Sequence, residues 1–354
     1  VPMPGFPNRE VSAPWSRWRL APAMGTNGAI ASAHPLISSA GARVLAAGGN
    51  AVDAAVAAGL VGSVVMPQMC GLGGDIFAIV HDPRRGKPVS YLGSGIAPRG
   101  MSYEDMRPHS PGNNLMPEQG PLAIGVPGMV RGYGDLLKNH GTKSFAEVAE
   151  AAIDYASNGH SAAFDLSEHL VPEVDLLAQF PASAAVFLPG GNPVAIGQRL
   201  VQHDLGQTLK RLAEVGTDDF YSGEIAGRIA QGIQAVGGVM TVDDLAQHTT
   251  DIREPLAISY HGHTVYQTGL PSQGVIHLEA IRICEELLAP ERFWTADWIH
   301  TQIEAIKIAF ADRLAYTQDP RFSPSLEANL LDDAWIAQRA RTIRPLAAEK
   351  IDVP

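Results

Sequence analysis

The sequence has little cysteine, no cluster of basic residues and no long apolar run. Only 2 of its 354 residues are cysteine. Cys70 and Cys284 lie far apart, so one disulfide is arithmetically possible, but two buried thiols in a reducing compartment is the interpretation that we favour. We therefore expect a cytoplasmic location, or a periplasmic one if a signal peptide has been removed.

The shortage of basic residues argues against nucleic acid as a partner. Lys and Arg together number 26 against 37 Asp and Glu, the net charge is −11, and the basic residues form no runs. No apolar stretch reaches the roughly 20 residues that span a bilayer. The most apolar segment, 52–66, contains Asp53 and reads as a buried helix, so no membrane partner is expected.

Helix signals are plentiful, and several carry their own capping residues. Gly48-Gly49 ends a helix over 38–47, and Asn50 with Asp53 begins a second helix that is apolar nearly all round. Ser144 and Glu147 form a capping box, as do Thr241 and Asp244. Further helices are predicted at 205–215, 224–236 and 295–316. In the last of these the side chains predicted to face inward are Trp298, Ile299, Ile303, Ile306, Phe310 and Leu314.

Two hairpins accompany these helices. The runs 76–82 and 88–92 are joined by a turn-forming segment, and 256–260 is followed by a turn into Val265 and Tyr266. Hairpins mixed with helices favour an α+β or layered α/β fold over a regular parallel array. Residues 1–27 form an irregular N-terminal arm, and 28–354 are assigned to one domain.

The glycine-rich segment 70–75 invites comparison with a phosphate-binding loop. Such loops run from strand to glycine turn to helix, whereas here a helix precedes the glycines and a strand follows. Two readings stay open: a tight turn with close backbone contacts, or a turn that lines an active site. Gly73, Gly74 and Asp75 are accordingly candidate substrate-binding residues.

No complete catalytic constellation is evident in the remaining residues. His261 and His263 alternate across a turn but lack the further ligands that zinc needs, so no metal is expected there. Cys70 would be a nucleophile only with a histidine nearby in space, and its apolar neighbours favour an inert thiol. Asp312-Arg313 is interpreted as an intrahelical or interhelical ion pair.

A set of motifs, kept in order along the chain, resembles the γ-glutamyltranspeptidase family. The segment 48–57 is similar to the N-terminal signature of that family, and 71–77 to its glycine turn. Five further matches follow: Gly125-Val126-Pro127-Gly128, the acidic-Phe-Tyr run 218–223, the run 237–245, the turn 271–274, and 304–313 with Asp319-Pro320. Each motif alone is weak, but the ordered set over about 28–323 is specific.

The resemblance implies a fold and a mechanism that this chain does not complete alone. Family members are made as one precursor that cuts itself before a threonine, and this chain ends at Asp352-Val353-Pro354, about where such a precursor would be cut. The implied fold is a four-layer αββα N-terminal-nucleophile hydrolase sandwich shared with a small subunit from the same precursor. The resemblance places no catalytic residue in this chain, implies neither a metal nor an organic cofactor, and allows a dimer of heterodimers.

One position departs from the family pattern. Transpeptidases grip the glutamyl α-carboxylate with an arginine in a stretch reading roughly Arg-Glu-x-Ala-Pro, and Ser94 stands at the aligned position here. A bidentate carboxylate clamp is therefore lost. Arg99, just beyond, would reach the site only if the loop were rearranged.

These observations predict an amide hydrolase whose substrate is a small or N-acyl amide rather than a standard γ-glutamyl peptide. Oxamate and the side chain of a cephalosporin are examples of such substrates. The first alternative is a glutathione hydrolase or γ-glutamyltransferase that uses Arg99 or a partner-chain residue as the carboxylate anchor. The second is a non-catalytic scaffold subunit.

Overall fold

The computed structural model describes residues 23–110, 112, 115–289, 295–324 and 326–353. The predicted N-terminal arm therefore lies almost wholly outside the described residues. Between residues 23 and 353 the chain forms sixteen α-helices and seven short strands among the described residues. The prediction of an α+β fold is confirmed.

A first core is built around α2 (Ala51–Val65), which is buried on nearly every side. Leu60, Val61 and Val64 are fully buried. Around α2 pack α1 (Pro35–Ala46), α4 (Met129–His140) and α5 (Phe145–Asn158), and α9 (His203–Val215) packs on α5. This helix is apolar on all faces because it has helices or strands on all faces.

Local signals set the ends of these helices as predicted. The backbone N–H groups of Gly48 and Gly49 donate to the carbonyls of Leu45 and Val44, and Gly48 adopts a positive φ of 83°. Both capping boxes, Asn50 with Asp53 and Ser144 with Glu147, are present. These ends are set by the sequence because a capping bond joins residues only a few positions apart.

A three-stranded antiparallel sheet covers one side of the first core. Its order is β1 (Ile76–Val80), β2 (Val89–Gly93) and β5 (Asp251–Arg253), with Ile76 opposite Gly93 and Leu92 opposite Asp251. The first predicted hairpin is therefore confirmed. The glycine turn lies between α2 and β1, which confirms the helix-turn-strand order that excludes a phosphate-binding loop.

Short elements fill the segments between the sheet and the long helices. These are α3 (Tyr103–Met106), β3 (His160–Ser161), α6 (Phe164–Leu170), α7 (Val174–Leu177), α8 (Pro181–Phe187), β4 (Arg199–Leu200), α10 (Asp219–Ser222), α11 (Glu224–Ala235) and α12 (Val242–Ala246). Two short 3₁₀ helices cover Arg107–His109 and Pro189–Gly191. The capping box of Thr241 and Asp244 begins α12 as predicted.

A second core forms from the last helices and the second hairpin. The hairpin pairs β6 (Leu256–Tyr260) with β7 (His263–Gln267), and α13 (Gly274–Leu287) packs on both strands. Also in this core are α14 (Ala296–Tyr316), α15 (Glu327–Leu330) and α16 (Asp333–Ala340). Its apolar centre includes Ile283, Ile308 and Ile336.

The predicted inward face of α14 is wrong. Ile299, Ile303, Ile306, Phe310 and Leu314 are exposed, and Trp298 is only partly buried. The buried face instead carries Thr301, Glu304, Ala305, Ile308, Ala309 and Asp312. The prediction placed the apolar side chains of α14 inward. It is wrong because this helix buries charged side chains, which contact other polar groups of the same chain.

Candidate functional site

Three loop segments meet where β2 leaves the sheet: 71–75, 93–96 and 125–128. The carbonyl of Gly74 accepts the N–H groups of Gly128 and Met129 at 3.0 and 2.9 Å. Val126 N donates to the carbonyl of Ile96 at 2.8 Å. The predicted glycine turn and the Gly-Val-Pro-Gly loop are thus one hydrogen-bonded unit at the start of α4.

Glycines at this meeting point are required by close backbone approach. A Cβ on Gly128 would lie 2.0 Å from the carbonyl oxygen of Gly93, and one on Gly95 would lie 2.2 Å from that of Val126. Such contacts are shorter than any side chain tolerates. Gly73 differs, because a Cβ there would meet nothing within 4 Å. Close backbone contact, the first of the two interpretations, therefore holds for Gly95 and Gly128 in the adjoining segments. Gly73 in the turn itself faces open space.

Asp75 and Ser94 lie at this edge of the sheet. The Oδ1 atom of Asp75 accepts the N–H of Gly95 at 3.0 Å, and the Asp75 side chain is exposed. Ser94, half-buried, is the first residue after β2. The hydrogen bond to Gly95 ties Asp75 to the residue that follows Ser94, so both residues lie at the same edge of the sheet.

Arg99 is held elsewhere on the same loop. Its backbone N–H donates to Asp244 Oδ1 at 3.1 Å, which ties the residue to the start of α12. Its side chain is exposed. The rearrangement that would bring Arg99 to the position of Ser94 would have to break this link to a capping box.

Sequence reasoning missed the aromatic support behind the Gly-Val-Pro-Gly loop. The hydroxyl of Tyr221 donates to the carbonyl of Pro127 at 3.0 Å and accepts the N–H of Arg131 at 2.8 Å. The guanidinium of Arg131 lies 4.4 Å from the centre of the Tyr221 ring. Tyr221 belongs to the acidic-Phe-Tyr motif, so that motif was the available signal, and its role here is to position the loop.

His248 completes this support and had no signal in the sequence. Its ring stacks on Tyr221 with centroids 5.6 Å apart and planes 18° apart. Its Nε2 atom is buried and has no hydrogen-bond partner among the described residues. Burial, together with the nearby charge of Arg131, lowers the pKa of His248, so its ring is neutral at physiological pH.

The other candidates from the sequence have ordinary surroundings. Cys70 and Cys284 are both free thiols, which excludes the disulfide. Burial raises the pKa of the Cys70 thiol, and this favours the inert-thiol interpretation. His261 and His263 are exposed. The described residues contain no group of three or more His, Cys, Asp and Glu side chains that could hold a metal ion.

The helices that the structure describes include none that is both long and apolar enough to cross a membrane.

The α+β fold of this chain is that of the N-terminal-nucleophile hydrolases. The family model described as Gamma-glutamyltranspeptidase matches residues 37–353. The chain belongs to the γ-glutamyltranspeptidase family.

Relatives within the family carry different names. The chain is 36% identical to the glutathione hydrolase-like YwrD proenzyme of Bacillus subtilis (strain 168), over 92% of this chain and 61% of the relative. It is 35% identical to the acylase ACY 1 proenzyme of Pseudomonas sp. (strain SE83), over 91% of this chain and 59% of that protein. The chain thus spans about three-fifths of the length of these curated relatives.

Solved structures show the same division. The γ-glutamyltranspeptidase of Helicobacter pylori superposes with a TM-score of 0.85 at 31% identity, covering 92% of this chain and 94% of that one. The cephalosporin acylase of Bacillus halodurans gives a TM-score of 0.82 at 30% identity, covering 88% of this chain and 58% of that one. Overall similarity therefore does not separate a γ-glutamyl substrate from another acyl group.

Proposed function

We propose that this chain is the large subunit of a processed amidohydrolase that cleaves a small or N-acyl amide. The nucleophile is the N-terminal threonine of a small subunit cut from the same precursor. Its hydroxyl attacks the amide carbonyl, the amine leaves, and water releases the acyl group from the acyl-enzyme. This chain shapes the acyl pocket at the edge formed by Asp75, Ser94 and the glycine turn.

An open sheet edge supports a partner chain of this kind. β1 is an edge strand, and all five of its residues, Ile76–Val80, are apolar. Phe77 and Ile79 are exposed on the face opposite the one that packs on the helices of the first core. The open edge of β1 can pair with a further strand. A second layer supplied by another chain would cover the exposed face that carries Phe77 and Ile79.

The outer face of α14 supports the same conclusion. It exposes an apolar stripe of Ile299, Ile303, Ile306, Phe310 and Leu314, spaced three or four residues apart. A contiguous apolar stripe on a long helix is typical of an interface. The relatives' names as proenzymes agree with a precursor that supplies the second chain.

The observation that carries the substrate class is Ser94. A serine hydroxyl at this position offers one neutral donor where a guanidinium would offer two parallel charged ones. Hydrogen bonds to charged groups contribute about 1.5–3 kcal/mol, so losing them disfavours an acyl group with a free α-carboxylate roughly 10- to 100-fold.

A matched pair of p-nitroanilides tests this proposal. The full precursor is expressed, allowed to mature, and assayed for kcat/KM with γ-glutamyl-p-nitroanilide and with butyryl-p-nitroanilide, which lacks the α-amine and α-carboxylate. The butyryl compound should be the better substrate, and Ser94→Arg should shift the ratio toward γ-glutamyl by about tenfold or more. A wild-type preference for the γ-glutamyl compound would contradict the substrate class.

The alternative is a glutathione hydrolase anchored by Arg99. It is favoured by relatives of that name, such as the glutathione hydrolase proenzyme of Bacillus subtilis (strain 168), 33% identical over 90% of this chain. Arg99→Ala should then raise KM for γ-glutamyl-p-nitroanilide sharply, whereas our proposal expects less than a threefold change. A residue other than threonine or serine at the start of the small subunit would instead favour a non-catalytic scaffold.

A further inference from the structure

Three polar side chains of α14, those of His300, Glu304 and Lys307, contact one segment of the same chain, 344–352, which we call the anchored segment. It follows α16 and contains no helix or strand. Glu304, Lys307 and Asp312 all belong to the helical motif 304–313, and the proposed acyl pocket uses none of them. Glu304 and Asp312 are buried and Lys307 is partly buried, so these charged side chains call for another role.

The first contact fixes both backbone groups of one residue. The N–H of Ala348 donates to Glu304 Oε2 at 3.3 Å, and Lys307 Nζ donates to the carbonyl of Ala348. Lys307 also pairs with Glu304 Oε1 at 2.8 Å. The Glu304–Lys307 pair thus supplies an acceptor and a donor to Ala348, as a neighbouring strand would.

Two further contacts hold the segment on either side of Ala348. His300 Nε2 donates to the carbonyl of Arg344 at 2.7 Å. At the other end Arg339 donates to the carbonyl of Asp352 at 2.9 Å. The three bound carbonyls therefore recur every four residues, at 344, 348 and 352.

Arg339 is itself fixed by a buried ion pair. Its Nε and Nη2 atoms each donate to Asp312 at 2.7 Å, and both side chains are almost fully buried. Ile343 and Ile351 also pack against the second core. A buried bidentate pair gives a guanidinium one geometry, so the carbonyl of Asp352 is fixed relative to α14.

We propose that Glu304, Lys307, Asp312 and Arg339 are positioning residues for self-cleavage of the precursor. The inference rests on the proposed function, in which the small subunit follows the anchored segment in one precursor. Self-cleavage needs a threonine hydroxyl held against the carbonyl of the preceding residue, and misplacement by about 1 Å costs on the order of 100-fold in rate. Fixing the main chain at 344, 348 and 352 limits how far the downstream peptide bond moves.

Lys307→Met tests this inference in the full precursor, because it removes the donor to Ala348 and keeps the apolar stem. The rate constant of self-cleavage is measured by mass spectrometry on freshly purified precursor. We expect at least a tenfold decrease, with Lys307→Arg restoring the rate to within threefold of wild type. Once cleaved, Lys307→Met should show kcat/KM within twofold of wild type, a separation that a general folding defect would not produce.

Two more variants keep the test decisive. Lys350→Met removes an exposed lysine from the anchored segment itself and should cleave at the wild-type rate. If Lys307→Met does not fold, Glu304→Gln/Lys307→Met leaves no unpaired buried charge, and the same slow cleavage is expected. Cleavage at the wild-type rate in the folded variant overturns this inference alone, whereas a wild-type precursor that never cleaves overturns the proposed function as well.

Discussion

The two cores of this molecule satisfy their buried acids in different ways. In the first core Asp53 and Asp244 lie at the third position of a helix, where backbone N–H groups bind them. In the second core Glu279 and Asp312 lie within long helices and are met by side chains of another helix. The first arrangement is local in sequence, and the second depends on how α13, α14 and α16 pack.

These two arrangements shift the pKa of the buried acids in opposite directions. Asp53 accepts hydrogen bonds from Asn50 N, Thr142 N, Thr142 Oγ1 and Lys143 N at 2.6–3.1 Å. Although burial opposes the charged form, these bonds lower the pKa of Asp53. Glu279 accepts a hydrogen bond from Trp335 Nε1 at 3.0 Å; burial and then a hydrogen bond with Asp312 raise its pKa to about 8. The second core therefore favours the protonated form of its acid Glu279, whereas the first core favours the charged form of Asp53.

The largest effect should come from removing one partner of the buried pair. Arg339→Met leaves Asp312 buried and unpaired, which costs about 3–5 kcal/mol of unfolding free energy. The double variant Asp312→Leu/Arg339→Met should recover most of that loss, because no charge is then left buried. Urea unfolding of wild type, Arg339→Met, Asp312→Leu and the double variant measures these losses, and a double variant that loses the sum of the two single losses would contradict the pairing.

The second prediction uses the pH dependence of the second core. Because Glu279 binds a proton more tightly in the folded state, the unfolding free energy should fall as pH rises from 4.5 to about 8. The slope is about 1.4 kcal/mol per pH unit at most, which gives roughly 3–4 kcal/mol between pH 5 and 8.

Glu279→Gln should flatten this dependence, because an amide keeps the bond from Trp335 and carries no charge. The matched control is Glu286→Gln, an exposed position on the same helix. Unfolding curves at pH 5, 6.5 and 8 check the prediction. Equal slopes for wild type and Glu279→Gln would show that Glu279 is ionised throughout this range.

The third prediction concerns the cap acid of the first core. Asp53→Ala should lower the unfolding free energy at pH 7 by about 1–2 kcal/mol, since one helix cap is lost. Its folded pKa is lowered, so its contribution is present above the unfolded value of 3.8 and disappears as pH falls through the folded value. Wild type and variant should therefore converge only in acid, in the opposite direction to Glu279. Equilibrium unfolding from pH 7 to pH 2 measures this convergence.

The smallest effect is expected at a surface ion pair. Lys87 and Glu254 lie 3.2 Å apart with side chains 78% and 77% exposed. Lys87→Met should change the unfolding free energy by less than about 0.5 kcal/mol, because water screens the pair. Thermal unfolding checks this prediction. If Lys87→Met lost as much unfolding free energy as Arg339→Met, burial would not explain why the two ion pairs differ.

Much of the candidate site was predictable from the sequence, but its assembly was not. The order of helix, glycine turn and strand placed Gly73, Gly74 and Asp75 correctly between α2 and β1. Nothing in the sequence placed His248 behind the loop 125–128, because 120 residues separate it from Gly128 along the chain. That contact depends on Tyr221, which lies between the two rings of Phe220 and His248.

The sequence by itself determined the helix ends, the two hairpins and the family. Caps, turns and glycine contacts depend on residues that are near one another along the chain, so their chemistry is visible in the order of residues. Only the tertiary structure determined which face of α14 is buried. It also determined that Asp312 pairs with Arg339 rather than with Arg313. A mid-helix charge becomes stable inside a protein only when a distant side chain meets it, and the residue order does not record that meeting.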